Sequence, residues 1–285
     1  MPTANRQCPE CPGCRVSNVG KCILILVLAM GRMPLANAQI VPFQSGEELN
    51  FTIHYKYGLV VVKAGTAVYR LQTETYNQQP ALKTALNFKT TSFVDNVIMT
   101  IRDTMYSYAT LPAITPLAHF RNIHEGSHSY YEETWIQKHT TTTAEAKVKQ
   151  TQEGTVKKDT LLTTSKASYD FLNMFLYIRN LDYGSMQVGD TRLVAVLMGT
   201  KVVYLTIRYG GQTVLEGNHT EKNNAVWWTV DLTDKTFAKS KNAMEIWISD
   251  DENHVPLKLK AQLKIGTAVA ILSSYKNLKN GDYRY

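Results

Sequence analysis

Residues 50–57, NFTIHYKY, alternate apolar and polar side chains along their whole length. Successive side chains of a β-strand point to opposite faces, so strict alternation is typical of a strand with one buried and one solvated face. The apolar face of this segment carries Phe51, Ile53, Tyr55 and Tyr57. The pattern therefore predicts a strand, and any fold for this chain must supply a sheet in which that face is covered.

Further segments rich in β-branched and aromatic residues follow along the chain, with turn residues between many of them. The segments are 59–73, 81–94, 96–109, 129–143, 191–199, 201–211, 225–232, 244–250 and 255–266. The predicted turns are 77–80, 153–154, 189–190, 210–211 and 250–253. The stretches 140–149, 155–158 and 277–285 are polar and are interpreted as exposed strand edges or loose ends. We predict a mainly β protein with a strongly curved antiparallel sheet, as an open barrel or a two-sheet sandwich.

One segment departs from this pattern. Apolar side chains recur at helical spacing in SKASYDFLNMFLYIRNLDYG, at positions 171, 172, 175, 176 and 178. Ser168 or Asp170 can cap the start, and Gly184 follows the end. The spacing predicts one short helix over residues 169–181, which plugs or covers one face of the sheet.

The first 38 residues have the three parts of a secretory signal. Basic residues precede the apolar run CILILVLAM at 22–30, and Ala36 and Ala38 form a small-x-small site. The run is short of the roughly twenty residues of a spanning helix. We therefore predict cleavage between Ala38 and Gln39, with a single β-rich domain over residues 39–285 and export to the periplasm or cell envelope.

The string CPECPGC, at residues 8–14, has spacing that suits thiolate ligation of a metal or an iron–sulfur cluster. The four cysteines of the chain are Cys8, Cys11, Cys14 and Cys22. All of them lie within the predicted signal, so no cofactor, disulfide or thiol chemistry is expected in the exported chain.

The charge balance argues against a nucleic-acid partner. The net charge is +7 for the whole chain, and it is +4 (27 minus 23) once the predicted signal, with four basic residues and one acidic residue, is removed. A small excess spread along the chain lacks the clustered basic face of nucleic-acid-binding proteins.

The string HEGSH, from His124 to His128, matches the H-E-x-x-H pattern of zinc proteases. That motif needs a helix to bring both histidines to one metal ion. Gly126 and Ser127 are poor helix formers, and the flanks alternate as strands. We expect a hairpin tip and no metal here, and a metal-dependent hydrolase stays open as the alternative.

Two other groups of residues resemble catalytic or metal sites but lack the features that such sites require. Ser249, Asp250 and His254 resemble serine-hydrolase residues, but no G-x-S-x-G elbow is present. The acidic run 250–253 suggests calcium, yet it lacks the alternating ligand order and has the composition of a turn. No catalytic residue is therefore predicted. The pair Trp227-Trp228 lines a sugar or lipid site or else packs in the core.

Several segments together resemble the secreted bacterial family known as domain of unknown function 3108. The residues on which this resemblance rests are Gly46-Glu47 and Ala64-Gly65 near the start, Asp170 and Arg179 on either side of the helix, and Trp247, Ser249, Asp250, Asp251, Pro256 and Gly266 near the end. The resemblance spans nearly the whole of the exported chain. It departs from the family at His254, where arginine is expected. The resemblance implies a periplasmic or envelope-associated β protein of Gram-negative bacteria with no established activity.

The resulting expectation is a non-catalytic envelope protein that binds an apolar or glycan-bearing ligand, with an envelope lipid, glycan or protein as partner. Its ligand-binding residues are predicted to be Phe175, Arg179, Trp247, Asp250 and Asp251. Arg179 suits an anionic head group, or alternatively pairs with a carboxylate such as Asp170. A purely structural scaffold is the remaining alternative.

Overall fold

The computed structural model describes residues 41–216, 222–232, 242–263 and 265–281. The predicted cleavage site at Ala38 and Gln39 and the four cysteines lie outside these ranges. No helix within the ranges is long and apolar enough to cross a bilayer.

One sheet of fifteen strands makes up about two thirds of the described chain. Its strands are β1 Glu48–Tyr57, β2 Val60–Tyr76, β3 Gln79–Thr90, β4 Arg102–Thr110, β5 Thr115–Glu125, β6 His128–His139, β7 Ala144–Gln152, β8 Thr155–Thr164, β9 Ser168–Tyr169, β10 Thr191–Met198, β11 Lys201–Glu216, β12 Lys222–Leu232, β13 Met244–Ser249, β14 Pro256–Gln262 and β15 Thr267–Lys276. The spatial order is β8-β7-β6-β5-β4-β3-β2-β1-β15-β14-β13-β12-β11-β10-β9. All pairs are antiparallel except β9 with β10. The predicted mainly β, strongly curved antiparallel sheet is thus confirmed.

The sheet curls into a nearly closed barrel, with β8 and β9 as its two edges. Three residues separate these edge strands in the chain. The Thr164 hydroxyl of β8 lies 3.2 Å from the Tyr204 hydroxyl of β11, across the remaining gap. Closure of this kind covers strand edges that would otherwise pair with other chains.

The predicted helix is present as α2, Phe171–Arg179. Asp170 caps it, because its side chain accepts bonds from the backbone N–H groups of Leu172 and Asn173. Seven of its nine residues are buried, so it lies inside the barrel rather than on one outer face. The helix C-terminus faces the end of the barrel where β1 begins, since Arg179 contacts Glu47.

A second short helix, α1 at Ser92–Val97, replaces the predicted continuation of a strand to residue 94. The Thr91 side chain caps it by accepting from the Val94 N–H. Residues 98–101 likewise precede β4 rather than belonging to it, apart from one isolated bridge from Ile101 to Glu125. The prediction of a single helix was therefore wrong.

Two other local expectations were wrong. Gly210-Gly211 is a bulge inside β11 and not a turn, since the register with β12 shifts between Tyr209 and Gly211. A side chain on Gly210 would overlap the Trp227 ring, so glycine is required there by packing. Residues 144–149 belong to β7, which pairs on both sides and buries Ala146 and Val148, so they are not an exposed edge.

Candidate functional site

A cavity of about 280 Å³ lies inside the barrel beside the N-terminal half of α2. It is bounded by strands β1 to β4 on one side and β13 to β15 on the other. The lining residues are Leu49, Phe51, Ile53, Ala67, Tyr69, Leu86, Phe88, Asp103, Met105, Phe171, Leu172, Phe175, Met244, Pro256, Leu259, Ala261, Ala268 and Ala270. The volume is close to the lower end of small-molecule sites, which are usually concave and mostly apolar.

The cavity exists because small and large inward side chains are unevenly distributed around the barrel. Ala67, Ala261, Ala268 and Ala270 all face inward here. Helix α2 fills the other end of the barrel with Leu176 and Ile178, which are fully buried. At this end the alanines leave a gap that the aromatic rings do not close.

Phe175 lines the cavity, as the sequence predicts for a ligand-contacting residue. Its ring packs edge-on against Phe171, with the ring centroids 4.9 Å apart. The two rings therefore form the helical wall of the cavity. Whether Phe175 binds a ligand stays a prediction.

Asp103 is the only charged residue among the described residues that line the cavity, and sequence reasoning missed it. One carboxylate oxygen accepts a bond of 2.9 Å from the His124 backbone N–H. Burial raises its pKa above the ordinary value of 3.8, and this outweighs the His124 N–H and the Arg121 charge, which lower it. The sequence could have revealed its position, because residues two apart on a strand point to the same face. Asp103 lies two residues before Met105 and therefore shares its inward face.

Arg179 is not among the residues that line the cavity, and its side chain is fully buried in a network near the start of β1. Its guanidinium donates two bonds to the carboxylate of Glu47, at 2.6 and 3.1 Å. It donates further bonds to the backbone oxygens of His254 and Asn253, at 2.8 and 3.1 Å. Burial would lower the Arg179 pKa, but Glu47 beside it raises it. The partner is therefore Glu47, whereas Asp170 caps α2.

The other predicted ligand residues lie on or beside the β13–β14 hairpin. Trp247 is on the outer face of the sheet, with its ring stacked 6.5 Å from Trp227. Asp250 accepts a bond of 2.7 Å from the Gln212 side chain. Asp251 accepts from the Ser249 hydroxyl at 2.6 Å and so stabilises the turn. The structure therefore brings none of the three together with Phe175.

The hairpin also explains several residues of the family resemblance. The Ser249 hydroxyl accepts from the Val255 N–H at 2.7 Å while it donates to Asp251. The His254 ring donates from Nδ1 to the Arg179 carbonyl at 2.6 Å. Ser249 and His254 are thus each bonded to other groups, which is not the arrangement of a serine nucleophile and its base. Burial lowers the pKa of His254, which favours the neutral ring.

A second cluster, not anticipated from the sequence, has the composition of a catalytic triad. The Ser107 hydroxyl donates to Asp170 at 2.6 Å and lies 2.8 Å from Nδ1 of His119. The single serine proton goes to Asp170, so His119 is the donor to the serine oxygen rather than its base. Ser107 is also fully buried. The cluster therefore stabilises the fold at the start of α2.

The HEGSH string forms the β5–β6 hairpin tip, so the predicted hairpin is confirmed. Glu125 pairs with His128 and His124 pairs with Ser129. Directly opposed residues share a face of the sheet, so the two histidines point to opposite faces. Within the described ranges no group of three or more potential ligand side chains could hold a metal ion.

Comparisons with known proteins bear on the family and the fold. The model of the family described as protein of unknown function (DUF3108) matches residues 50–273. No curated protein matches significantly. A crystal structure of a β-barrel-like protein of domain of unknown function DUF1849 from Brucella abortus is similar in fold, with 10% sequence identity and a TM-score of 0.54 over 82% of this chain and 98% of that chain.

Proposed function

We propose that this protein, which belongs to the DUF3108 family, is an exported, non-catalytic envelope protein that binds an apolar ligand inside its barrel. The observation that carries the proposal is the interior cavity of about 280 Å³. Export is supported by the sequence of residues 22–38. The absence of catalysis is supported by the engagement of Ser107, Ser249 and His254 in structural hydrogen bonds.

The size of the cavity limits the ligand. A dry apolar cavity of about 150 Å³ already accommodates benzene. The space here therefore suits a bicyclic ring or a short acyl segment rather than a whole lipid. A glycan-bearing ligand would insert only its apolar part, because the lining offers few polar groups.

The Asp103 carboxyl group in the lining limits the chemistry further. A carboxylate accepts hydrogen bonds, so the matching ligand group is a donor. A hydroxyl or ammonium group at the polar end of an apolar ligand meets this requirement at Asp103. A ligand carboxylate or phosphate at that position would be repelled by the Asp103 carboxylate.

Filling the cavity is expected to abolish binding. Ala270 is opposite Ile53 and Leu259 in the sheet, and all three line the cavity. In an Ala270→Phe variant the phenyl ring occupies the ligand space. We expect its affinity for the neutral fluorophore N-phenyl-1-naphthylamine to fall at least about tenfold, which corresponds to about 1.4 kcal/mol. Fluorescence titration measures this.

The matched control is Ala85→Phe, since Ala85 lies on β3 beside Leu86 and faces outward. It should bind the probe as the unmodified protein does. Equal loss in both variants, or no binding by the unmodified protein, would favour a purely structural scaffold. Far-UV circular dichroism confirms that each variant is folded.

Binding of a neutral apolar probe is expected to strengthen as the pH falls. Covering Asp103 with an apolar molecule removes water from its carboxyl group and favours the protonated form. The pKa is already raised by burial, so the gain develops as the pH drops toward it from neutrality. Arg121 and His124 are the charged and titratable groups that lower the pKa of this carboxyl group, and Asp103 in turn adds to the effect of burial in raising the pKa of Tyr130.

An Asp103→Asn variant keeps the oxygen that accepts from His124 but has no carboxyl group to titrate. We expect it to bind the neutral probe more tightly at pH 7 and with much less pH dependence. Octylamine should show the reverse preference, binding the unmodified protein better than the variant. Identical pH profiles in the two proteins would contradict a role for Asp103 in the site.

A further inference from the structure

Large apolar side chains are exposed at one end of the barrel. Ten of the seventeen exposed large hydrophobic residues in the described chain come from three segments: the β1–β2 turn, α1 with the residues after it, and the β14–β15 turn. We call these ten the apolar rim: Tyr57, Leu59, Val60, Val61, Phe93, Val97, Ile98, Met99, Leu263 and Ile265. Their concentration separates them from singly exposed apolar residues, which are ordinary on protein surfaces.

Hydrogen bonds hold the three segments of the rim together. The Tyr55 hydroxyl donates to the Ile265 backbone oxygen at 2.9 Å, which joins the β1–β2 and β14–β15 turns. The Thr91 backbone N–H donates to the Ala64 oxygen at 3.0 Å, which fixes the start of α1 against β2. The rim is therefore one surface rather than three independent loops.

The rim projects from the end of the barrel. Leu59 is 101% exposed, which is the value of an unshielded side chain at a turn tip. Phe93 and Val97 are one helical turn apart on α1 and are both more than half exposed. Apolar side chains at protruding tips insert into an interface more readily than side chains on a flat wall.

Lysines lie immediately behind these tips. Lys56 and Lys63 are on β1 and β2, two or three residues from the turn, and Lys89 is near the end of β3. All three are exposed, and none has an ion-pair partner within the described ranges. The neighbouring Arg102, in contrast, is paired with Asp95. The exposed carboxylate Glu125 lies at the same end of the barrel, since it bridges to Ile101, so the three lysines leave an excess of positive charge among the described residues.

We propose that the apolar rim docks on a lipid bilayer that contains anionic lipids. Apolar tips backed by lysine, with a tyrosine between them, match the depth profile of a membrane interface. The lysines complement the negative surface of such a bilayer. A protein partner would have to match both the tips and three unpaired charges.

The position of the cavity gives this docking a consequence. Ala268 lines the cavity and is opposite Tyr55, two residues before the rim residue Tyr57. Docking places this end of the barrel against the lipid phase, from which an apolar ligand would enter. That consequence rests on the proposed ligand-binding function, whereas the docking itself does not.

The test is flotation of the purified protein with vesicles of phosphatidylethanolamine and phosphatidylglycerol. We expect the unmodified protein to float with them. In a Leu59→Asp/Val97→Asp variant the partition coefficient should fall by about 10- to 100-fold, since two apolar side chains no longer insert. The matched control is Val188→Asp/Val214→Asp, which introduces the same number of aspartates at exposed apolar residues away from the rim, with an expected change of less than about twofold.

A second variant tests the charge. Lys56→Gln/Lys63→Gln/Lys89→Gln should lose about 100-fold of its partitioning to anionic vesicles, at roughly fivefold for each lysine, and little of its partitioning to phosphatidylcholine vesicles. This variant keeps the apolar tips, so its unchanged partitioning to phosphatidylcholine vesicles would show that misfolding is not the cause of the loss on anionic vesicles.

Three outcomes would overturn the proposal. The first is that the unmodified protein does not float with the vesicles. The second is that the control variant loses as much partitioning as the rim variant. The third is that the rim substitutions abolish a concentration-dependent dimer in sedimentation while flotation is unchanged, which would assign the rim to a second copy of the chain. Probe binding in solution, measured on the same variants, reports separately on the ligand-binding function.

Discussion

Replacing Arg179 with methionine is expected to lower the free energy of unfolding by about 3 to 5 kcal/mol, because the buried Glu47 carboxylate loses its partner. Both side chains of the pair are fully buried. The substitution also leaves the backbone oxygens of Asn253 and His254 without the donor they have now. Urea denaturation followed by tryptophan fluorescence measures the change.

The neighbouring pair of Arg70 and Glu48 is a matched control. Its contact distance is 2.8 Å, but the Arg70 side chain is 49% exposed. Solvent screens such a pair, so Arg70→Met should cost less than about 1 kcal/mol. A Glu47→Gln/Arg179→Met double variant should recover part of the loss. Equal costs for Arg179→Met and Arg70→Met would contradict the structural role assigned to the buried pair.

Replacing Asp170 with alanine is expected to cost about 3 to 6 kcal/mol, since it removes the cap of α2 and leaves buried donors unpaired. The donors are the Ser107 hydroxyl and the Asn173 side-chain amide, which both bond to this carboxylate at 2.6 Å. Chemical denaturation measures the loss, and α2 should also become less protected from hydrogen exchange.

Asp182 provides the comparison for this prediction. It accepts from the Gly184 N–H at 3.2 Å but is exposed, so Asp182→Ala should cost less than about 1 kcal/mol. Asp170→Asn keeps an oxygen for the helix cap and should fall between the two. A cost for Asp170→Ala no larger than that for Asp182→Ala would show that the cluster does not stabilise the fold.

The strands were predictable because each carries its own local pattern. Alternation in 50–57 and the helical spacing of residues 171–178 are properties of adjacent residues, and both elements formed as predicted. Helix α1 was missed because its sequence, SFVDNV, has no repeat of helical length and sits between strand-forming residues. A six-residue helix depends on its Thr91 cap and on tertiary contacts more than on its own periodicity.

The site was less accessible to sequence reasoning. Arg179 and Glu47 are 132 residues apart, so nothing local identified the partner. The cavity is unfilled space between alanines of distant strands, such as Ala67 and Ala270, and no single segment encodes it. The outward direction of Trp247 was predictable, because Ile246 and Ile248 on either side of it are core residues.

The measurement that tests the central claim most directly is a crystal structure of the protein grown with 8-bromo-1-octanol. Anomalous scattering locates the bromine independently of the protein phases. The account predicts bromine density inside the barrel, between Phe51 and Phe175, with the hydroxyl end within hydrogen-bonding distance of Asp103. Bromine density confined to the outer surface of the sheet, with an unfilled interior at saturating ligand, would contradict it.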